Sequence, residues 1–407
     1  MMPEDEHHHA PAAPVVEPWA AILEDARRYP SPHNSQPITV RVVDDRTLDV
    51  FYDLDLGLPA ENFGIPFAHV CAGIFWASLE ICSAGHGFEA RVAEVATEMD
   101  FSSPQRLHPL GRVVLVLHDA ADDGAAGPAD ADASVTARPA PATSGTVPGA
   151  EATRLLDAFR RRQTSRRPYD SRTVEPAAIE RVRALAAEHG HVFRESHDPA
   201  VVARVIRVNQ ETLFDDLQHD AVHQEILTWL RTSKAQAARS GDGLSAETML
   251  LPGPVLSFAM RHRGIWRWPV VGAVIRRVYL STMRGVSQVA WFGGPFAGPA
   301  DYLRAGRLFL RAWLELELAG VSLHPFGTVV TNPRSHADFV RTVGESEQDG
   351  RMVWMLVRLG YSKRPPHAHR RPLAAMVLDD DEVRARGIAG GGAGGPDHTG
   401  TNEGATP

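Results

Sequence analysis

Apolar residues recur along the first part of the chain at spacings that predict alternating helices and strands. Residues 65–84 are apolar nearly all round, which predicts a central buried helix. Two short runs rich in β-branched residues flank Asp44-Asp45-Arg46, a sequence suited to a hairpin turn. We therefore predict helices over residues 17–28 and 65–84, and strands over residues 38–43, 48–52 and 112–118.

The second part of the chain repeats this alternation of helices and strands. Residues 302–319 give the clearest amphipathic pattern, with a stripe of charged residues opposite a row of leucines. Further helices are predicted over residues 151–162 and 176–189, and strands near residues 191–194 and over residues 352–359. The shared order of elements favours two related halves of the α+β class.

Low-complexity segments mark the boundaries between these halves. Residues 119–150 consist almost wholly of Ala, Asp, Gly, Pro, Ser and Thr, a composition typical of a flexible linker. We predict a disordered N-terminus over residues 1–16, a first half over 17–118, a linker over 119–150, a second half over 151–380 and a disordered Gly-rich tail over 381–407.

Residues 249–296 fit this scheme poorly. Two apolar stretches, residues 250–260 and 266–275, have arginines at their edges. The segment is compatible with a lid over a site, an extra helical layer or contact with a membrane surface. Charges interrupt every apolar run, which favours the lid or the layer.

Composition narrows the choice of function. The chain has 407 residues, 43% of them hydrophobic, and a formal net charge of −8, which argues against nucleic-acid binding. The longest apolar stretch carries His69 and Glu80 and falls short of a convincing membrane span. Cys71 and Cys82 are too far apart along a helix to bridge and are expected to be free thiols. Since the first residues are acidic and His-rich, unlike a signal peptide, we expect the protein to be cytoplasmic.

A kinked segment over residues 30–37, which we call the Pro-Ser segment or Pro-Ser motif, carries the first candidate site. Ser31, His33, Asn34 and Gln36 lie within it, and the two carboxamides can donate and accept hydrogen bonds at the edge of a heteroaromatic ring. The same residues are also good turn formers without any ligand, and that reading stays open.

A second candidate site, which we call the arginine motif, covers residues 162–169 and follows about 125 residues later. Arg162 and Arg166 flank Thr164, and two guanidinium groups around a hydroxyl suit a phosphate dianion. The alternative is a solvated basic helix end. No H-E-x-x-H, C-x-x-C or G-x-S-x-G motif occurs, so we predict neither a metal site nor a serine nucleophile.

Together these motifs resemble the nitroreductase family of FMN-dependent oxidoreductases. Residues 315–327, 359–361 and 370–373 also match that family's pattern. The resemblance implies that Arg162 and Arg166 bind the FMN phosphate, and that Thr164 contacts the phosphate or the ribityl chain. It further implies that Arg370 or Arg371 closes on the same phosphate.

The resemblance also implies a contact at the reactive edge of the flavin. After the amphipathic helix, the family places a backbone N–H against flavin N5, and Gly327, preceded by Phe326, best fits a close backbone approach. No catalytic side chain is predicted, and His324 is as compatible with packing as with catalysis.

The order of the two motifs is the reverse of that in ordinary members of the family. Those proteins are homodimers in which each flavin takes the arginine motif from one chain and the Pro-Ser motif from the other. Here each half carries only one motif, which resembles the fused Acg-like branch. The expectation is a nitroreductase-like fold as an intrachain pseudo-dimer, with a single FMN, as a monomer or weak homo-oligomer.

The resemblance implies an oxidoreductase. Flavin reduced by NADH or NADPH would pass a hydride from N5 to a small electron-poor substrate such as a nitroaromatic, a quinone or an activated alkene. The alternative is a non-catalytic protein that sequesters FMN beneath a lid.

Overall fold

The computed structural model describes residues 15–60, 65–117 and 149–387. The predicted disorder of the first residues, most of the predicted linker and most of the predicted tail lie outside this range. Helices and strands are mixed, which confirms the α+β class. The strands are β1 (Ile38–Val42), β2 (Thr47–Asp53), β3 (Phe88–Glu94), β4 (Leu107–Leu117), β5 (Val192–Ser196), β6 (Leu230–Arg231), β7 (Leu244–Ser245), β8 (Gln288–Pro295), β9 (Ser322–Pro325) and β10 (Arg351–Gly360).

The helices cover most of the remaining described chain. They are α1 (Trp19–Ala26), α2 (Phe67–Gly85), α3 (Gly149–Arg161), α4 (Pro176–Glu188), α5 (Pro199–Asp216), α6 (Asp220–Trp229), α7 (Lys234–Ser240), α8 (Gly253–Arg261), α9 (Pro269–Ser281), α10 (Pro299–Leu318), α11 (Gly327–Thr331), α12 (Pro333–Thr342) and α13 (Asp380–Ala385).

Two four-stranded antiparallel sheets have the same connectivity. The first has the strand order β1-β2-β4-β3 and the second the order β5-β8-β10-β9. If β1 to β4 are matched in chain order with β5, β8, β9 and β10, the two orders are identical. Helix α2 lies between β2 and β3, and helix α10 lies between the matched strands β8 and β9. The halves differ mainly in the link after the first strand, which is a short turn in one and residues 197–287 in the other.

The two matched helices, α2 and α10, cross at a contact that requires glycine on both. A Cβ atom on Gly73 of α2 would lie 2.0 Å from the carbonyl oxygen of Leu303. Reciprocally, a Cβ atom on Gly306 of α10 would lie 2.1 Å from the carbonyl oxygen of Val70. The contact is therefore self-complementary, as at a two-fold axis.

One hydrophobic core runs through both halves. Its buried residues include Trp76 of α2, Trp313 of α10 and Trp354 of β10. Helix α2 is long and apolar enough to cross a membrane, yet 83% of the relevant window is buried inside the protein, so it is weak evidence for a span. Cys71 and Cys82 are buried and free, as predicted.

The C-terminal segment returns to the first half. Val377 forms a parallel bridge with Val40 of β1, and Val383 packs in a small apolar cluster beside Phe51. Arg386 pairs with Asp53, with Nη1 2.8 Å from Oδ2. Helix α13, whose N-terminus is stabilised by a capping box at Asp379, thus extends past residue 380, where the tail was predicted to begin.

Residues 249–296 form an additional layer and also a strand that the sequence analysis did not predict. Helices α8 and α9 contribute to a second apolar cluster that includes Phe214, Leu256, Met260 and Trp266. The end of the segment is β8, the strand between β5 and β10.

Candidate functional site

A cavity of about 370 Å³ lies where the two predicted motifs meet. This volume is in the range of small-molecule sites, which are about 300–1,000 Å³. Seven of the residues expected at a flavin line it: Ser31, His33, Asn34, Arg162, Thr164, Arg166 and Arg370. Its lining contains six arginines and no Asp or Glu, and these are Arg27, Arg28, Arg160, Arg162, Arg166 and Arg370.

The Pro-Ser segment holds an unusual backbone conformation at this cavity. His33, Asn34 and Gln36 have φ values of 48°, 55° and 54°, in the left-handed region that non-glycine residues avoid. The backbone N–H of Gln36 donates a hydrogen bond to Ser31 Oγ at 3.0 Å, which closes the turn. Such strain persists only where surrounding contacts enforce it, and it is concentrated at ligand sites.

Contacts to two distant segments enforce the conformation. Asn34 Nδ2 donates to the carbonyl oxygens of Gly243, at 3.3 Å, and His369, at 3.0 Å. Gln36 Nε2 donates to the carbonyl oxygen of Gly241 at 2.9 Å. Both carboxamides, predicted to meet a flavin ring, therefore make hydrogen bonds within the protein.

Gln36 itself does not line the cavity, and neither does Arg371. The Arg371 amide donates to Gln36 Oε1 at 3.0 Å, and its guanidinium forms an ion pair with Asp242. Both residues thus fix the backbone around the cavity. Arg370 is the C-terminal arginine that reaches the cavity, where Nη1 donates to Asn34 Oδ1 at 2.8 Å.

The arginine motif follows directly after α3. The guanidinium of Arg162 lies 4.5 Å from the ring centroid of Trp313, and Nη2 donates to the Arg28 carbonyl at 3.2 Å. Its Nε is buried and has no hydrogen-bond partner in the described chain. Thr164 forms a bridge with Leu323, so the motif lies against β9.

Arg358, which sequence reasoning did not identify, holds the backbone of the arginine motif by hydrogen bonds. It is fully buried on β10, and its Nη2 donates to the carbonyl oxygen of Ser165 at 3.0 Å. A second donor, Nη1, reaches the carbonyl oxygen of Thr282 at 2.9 Å. A charged side chain in a strand pattern is the signal that could have identified it.

Three arginines carry positive charge that no carboxylate of the described residues neutralises by an ion pair. Burial and the nearby Arg370 guanidinium lower the pKa of Arg162 to about 9, against a smaller opposing effect of Glu317. Burial and Arg358 lower the pKa of Arg166 to about 10, and burial with Arg27 and Arg28 lowers that of Arg370 to about 10.

The local carboxylates serve other arginines. Arg160 binds Asp25 through two short contacts, Nε to Oδ1 at 2.8 Å and Nη2 to Oδ2 at 2.6 Å, and Arg27 pairs with Glu24. Across the described residues, no carboxylate forms an ion pair with Arg162, Arg166 or Arg370. Burial raises the pKa of Glu317, which weakens it as a counter-charge to Arg162.

Such a cluster is suited to a dianion. Guanidinium groups form charge-assisted, often bidentate hydrogen bonds with phosphate oxygens. A phosphate group would restore the charge balance that burial has disturbed and would offer an acceptor to the orphaned Arg162 Nε. The residues present therefore fit the phosphate end of FMN.

Phe326 and Gly327 do not line the cavity. The Phe326 side chain is buried in the core, and its amide donates to the Leu356 carbonyl at 2.8 Å. His324 lies nearby, where burial and the charges of Arg358 and Arg166 lower its pKa well below the usual value. The predicted contact between Gly327 and flavin N5 thus lies outside the described pocket.

Sequence reasoning also missed the residues that cover the cavity. Gly243, Leu244 and Thr248 line it, and they belong to a loop that we call the covering loop, residues 241–248. Gly241 has a φ of 67°, and a Cβ atom there would lie 2.7 Å from the Arg370 carbonyl oxygen. The Gly-Asp-Gly sequence at 241–243 was the available signal, since it favours a tight turn. This loop directly precedes residues 249–296.

Within residues 15–60, 65–117 and 149–387, no three His, Cys, Asp or Glu side chains are grouped so that they could hold a metal ion.

Comparison with known proteins gives matches among solved structures alone. No known family profile and no curated protein matches the chain. The FMN-dependent nitroreductase NfnB from Mycobacterium smegmatis in complex with NADPH is 16% identical, with 56% of this chain and 99% of that chain covered and a TM-score of 0.34. A putative nitroreductase from Anabaena variabilis is 9% identical, with coverages of 86% and 74% and a TM-score of 0.37.

A further match is oxidised iodotyrosine deiodinase bound to FMN and 3-iodo-L-tyrosine. It is 14% identical, with 54% of this chain and 95% of that chain covered and a TM-score of 0.30. Likenesses at these TM-scores do not establish the family of this chain. The proposals below rest on its own residues.

Proposed function

We propose that this protein is an FMN-dependent oxidoreductase of the nitroreductase type. The observation that carries the proposal is the cavity beside the strained Pro-Ser segment, in which Arg162, Arg166 and Arg370 converge and no described carboxylate pairs with them. In this proposal the three arginines bind the FMN phosphate, and Thr164 contacts the phosphate or the ribityl chain.

The remaining lining residues would orient the flavin. Ser31 Oγ accepts a hydrogen bond from the Gln36 amide and keeps its own proton to donate. FMN, when bound, supplies hydride transfer between NADH or NADPH and an electron-poor acceptor such as a nitroaromatic, a quinone or an activated alkene. The contact between Gly327 and flavin N5 stays a prediction.

We further propose that the chain is a fused pseudo-dimer with one FMN, as in the Acg-like branch. Three observations support this proposal: the matched strand orders of the two sheets, the reciprocal contact of Gly73 and Gly306, and the division of the cavity lining between the two halves. A fused pair needs no second chain to complete its site, so we expect a monomer or a weak homo-oligomer. The two free thiols are consistent with a cytoplasmic protein.

Absorbance spectroscopy and a turnover assay test the main proposal. Purified protein should carry flavin absorbance, and should oxidise NADH or NADPH when a nitroaromatic or quinone acceptor is added. Protein that binds no FMN on titration, by absorbance or by quenching of flavin fluorescence, would refute it.

A non-catalytic FMN-sequestering protein is the second candidate. The observation that favours it is the attachment of the covering loop to the Pro-Ser segment, through the hydrogen bonds from Asn34 to Gly243 and from Gln36 to Gly241. A flavin beneath a fixed loop is closed to a nicotinamide.

Asn34→Ala separates the two candidates. This variant removes the side-chain hydrogen bond from Asn34 to Gly243 and also the hydrogen bond that Asn34 Oδ1 accepts from Arg370. It keeps the hydrogen bond that the backbone N–H of Gly243 donates to the Asn34 carbonyl oxygen at 3.1 Å, so it loosens the loop without detaching it. If the parent binds FMN without turnover and the variant gains NAD(P)H oxidation, the protein sequesters flavin. If the parent itself oxidises NAD(P)H, and does so only when an acceptor is added, the protein is an enzyme.

A further inference from the structure

The large exposed apolar side chains of the described chain are concentrated in one segment. Eleven large hydrophobic residues of the described chain are exposed, and seven of them lie between residues 255 and 280. We call these seven the α8–α9 face: Val255, Phe258, Trp268, Val270, Val274, Val278 and Leu280. A concentration of exposed large apolar side chains is unusual for a protein surface and marks an interaction site.

Helix α9 turns its valines outwards. Val270, Val274 and Val278 follow a four-residue spacing, which places them along one side of the helix, and all three are exposed. Val270 is 76% exposed and Trp268, just before the helix, is 63% exposed. Gly272 is the buried position of the helix, where a Cβ atom would lie 2.4 Å from the Trp266 carbonyl oxygen.

The charge of the segment that carries this face is opposite in sign to that of the whole protein. Residues 248–300 contain six arginines and no Asp, Glu or Lys, although the chain has a formal net charge of −8. Arg261 and Arg277 are exposed beside the face, whereas Arg263 pairs with the exposed carboxylate of Asp220. An anionic partner is therefore favoured at this surface.

We propose that the α8–α9 face docks the protein on the surface of an anionic phospholipid bilayer. Helices that lie in a membrane interface combine a Trp, Phe and aliphatic face with arginines that reach the lipid phosphates. Tryptophan in particular favours the headgroup level. Helices α8 and α9 have 9 and 13 residues, too short to cross a bilayer, so the contact is peripheral.

The docking face lies one layer away from the arginine cavity. Leu244 of the covering loop lines the cavity and also belongs to the apolar cluster of Leu256, Met260 and Trp266 beneath the face. The proposal nevertheless concerns a different surface from the proposed function, and its test does not depend on flavin.

Sedimentation with vesicles tests the proposal directly. The full chain is mixed with vesicles of phosphatidylcholine, with or without phosphatidylglycerol, at low and at high salt. We expect binding to vesicles that contain phosphatidylglycerol, at least tenfold weaker binding to phosphatidylcholine alone, and loss of most binding at high salt as charges are screened.

Two variants identify the surface. Val270→Asp with Val274→Asp should abolish vesicle binding, and Arg261→Gln with Arg277→Gln should remove the preference for phosphatidylglycerol. The matched control is Val43→Asp, at an exposed valine of the first half, and it should bind as the parent does. Circular dichroism confirms that each variant is folded.

Three outcomes would overturn the proposal. In the first, the parent stays in the supernatant with anionic vesicles. In the second, the Val270→Asp, Val274→Asp variant, shown to be folded, sediments as the parent does. In the third, the parent forms a concentration-dependent dimer without lipid, the variant stays monomeric, and the parent does not bind vesicles. The face would then be an interface between two copies of the chain.

Discussion

Replacing Arg162 with methionine is the most informative test of the arginine cavity. Methionine keeps an unbranched apolar side chain against the ring of Trp313, where the guanidinium now lies 4.5 Å from the centroid, and removes the charge and the donors. The matched control is Arg161→Met, because Arg161 is the exposed neighbour on α3 and does not line the cavity.

The expected effect on binding follows from the bonds that are lost. A hydrogen bond to a charged group is worth about 1.5–3 kcal/mol, so FMN affinity should fall roughly ten- to a hundredfold. At an FMN concentration about 100 times the parental Kd, the ligand stabilises the parent by about 2.7 kcal/mol. A variant with about thirtyfold weaker binding would gain only about 0.9 kcal/mol at the same concentration.

The effect on the empty protein should have the opposite sign. A fall in the pKa of Arg162 from 12.5 to about 9 corresponds to about 5 kcal/mol of unfavourable charge burial. Removing this charge should leave the apoprotein at least as stable as the parent. Loss of affinity together with unreduced apoprotein stability is the signature of a residue retained for an anion.

Thermal denaturation with and without ligand measures both quantities. The assay compares parent, Arg162→Met and Arg161→Met in the presence of FMN, of riboflavin, which lacks the phosphate, and of neither. Riboflavin should bind all three proteins equally. If Arg162→Met retains parental FMN affinity, or if it loses riboflavin and FMN binding to the same extent, the arginine cluster does not bind the phosphate.

Two further predictions concern stability. Burial, with the charge of Arg351, lowers the pKa of His191 to about 4, and Trp354 Nε1 donates to its Nδ1 at 3.2 Å. The unfolded chain takes up this proton near pH 6.5 and the folded protein only near pH 4, so His191 should cost up to about 3 kcal/mol of stability as the pH falls through that window. In urea denaturation at pH 7 and pH 4, His191→Gln should lose less stability than the parent, and an equal loss would contradict the assignment. Gly306→Ala should destabilise the protein by about 1–3 kcal/mol, because its Cβ meets the Val70 carbonyl, whereas Gly149→Ala, which meets no atom within 4 Å, should not lower the melting temperature.

Elements with a long, strong pattern were predicted well from the sequence. Helix α2 is apolar nearly all round and α10 is amphipathic over five turns, and both occur where the pattern places them. Strand β8 was missed because a short, fully buried apolar run cannot be distinguished from a helix by periodicity. Helices α5 and α6 were not predicted either.

The matching topology of the two sheets was only suggested by the sequence. Residues 197–287 separate β5 from β8, whereas a short turn separates β1 from β2, so the equivalent strands are not equally spaced along the chain. The pairing of strands is a tertiary property, and it becomes visible once β8 is known to lie between β5 and β10.

For the candidate site, the residue types were easier to predict than their roles. Arg162, Arg166 and Arg370 all line the cavity. The spacing of charged residues singled out Arg162 and Arg166, whereas Arg370 was expected from the family resemblance. Gln36 and Arg371 were assigned to the ligand, yet they bond to each other and to the covering loop. Such contacts join segments more than 100 residues apart, and no local pattern in the sequence encodes them.

The flavin content of the purified protein tests the central claim most directly. FMN is released from a known amount of the full chain by denaturation, after saturation with FMN and removal of the excess, and is then quantified by absorbance. The account predicts one FMN per chain, bound where the Pro-Ser segment meets the arginine motif. A protein that retains no FMN would contradict the proposed cofactor, and a ratio near two per chain would contradict the single site of the fused pseudo-dimer.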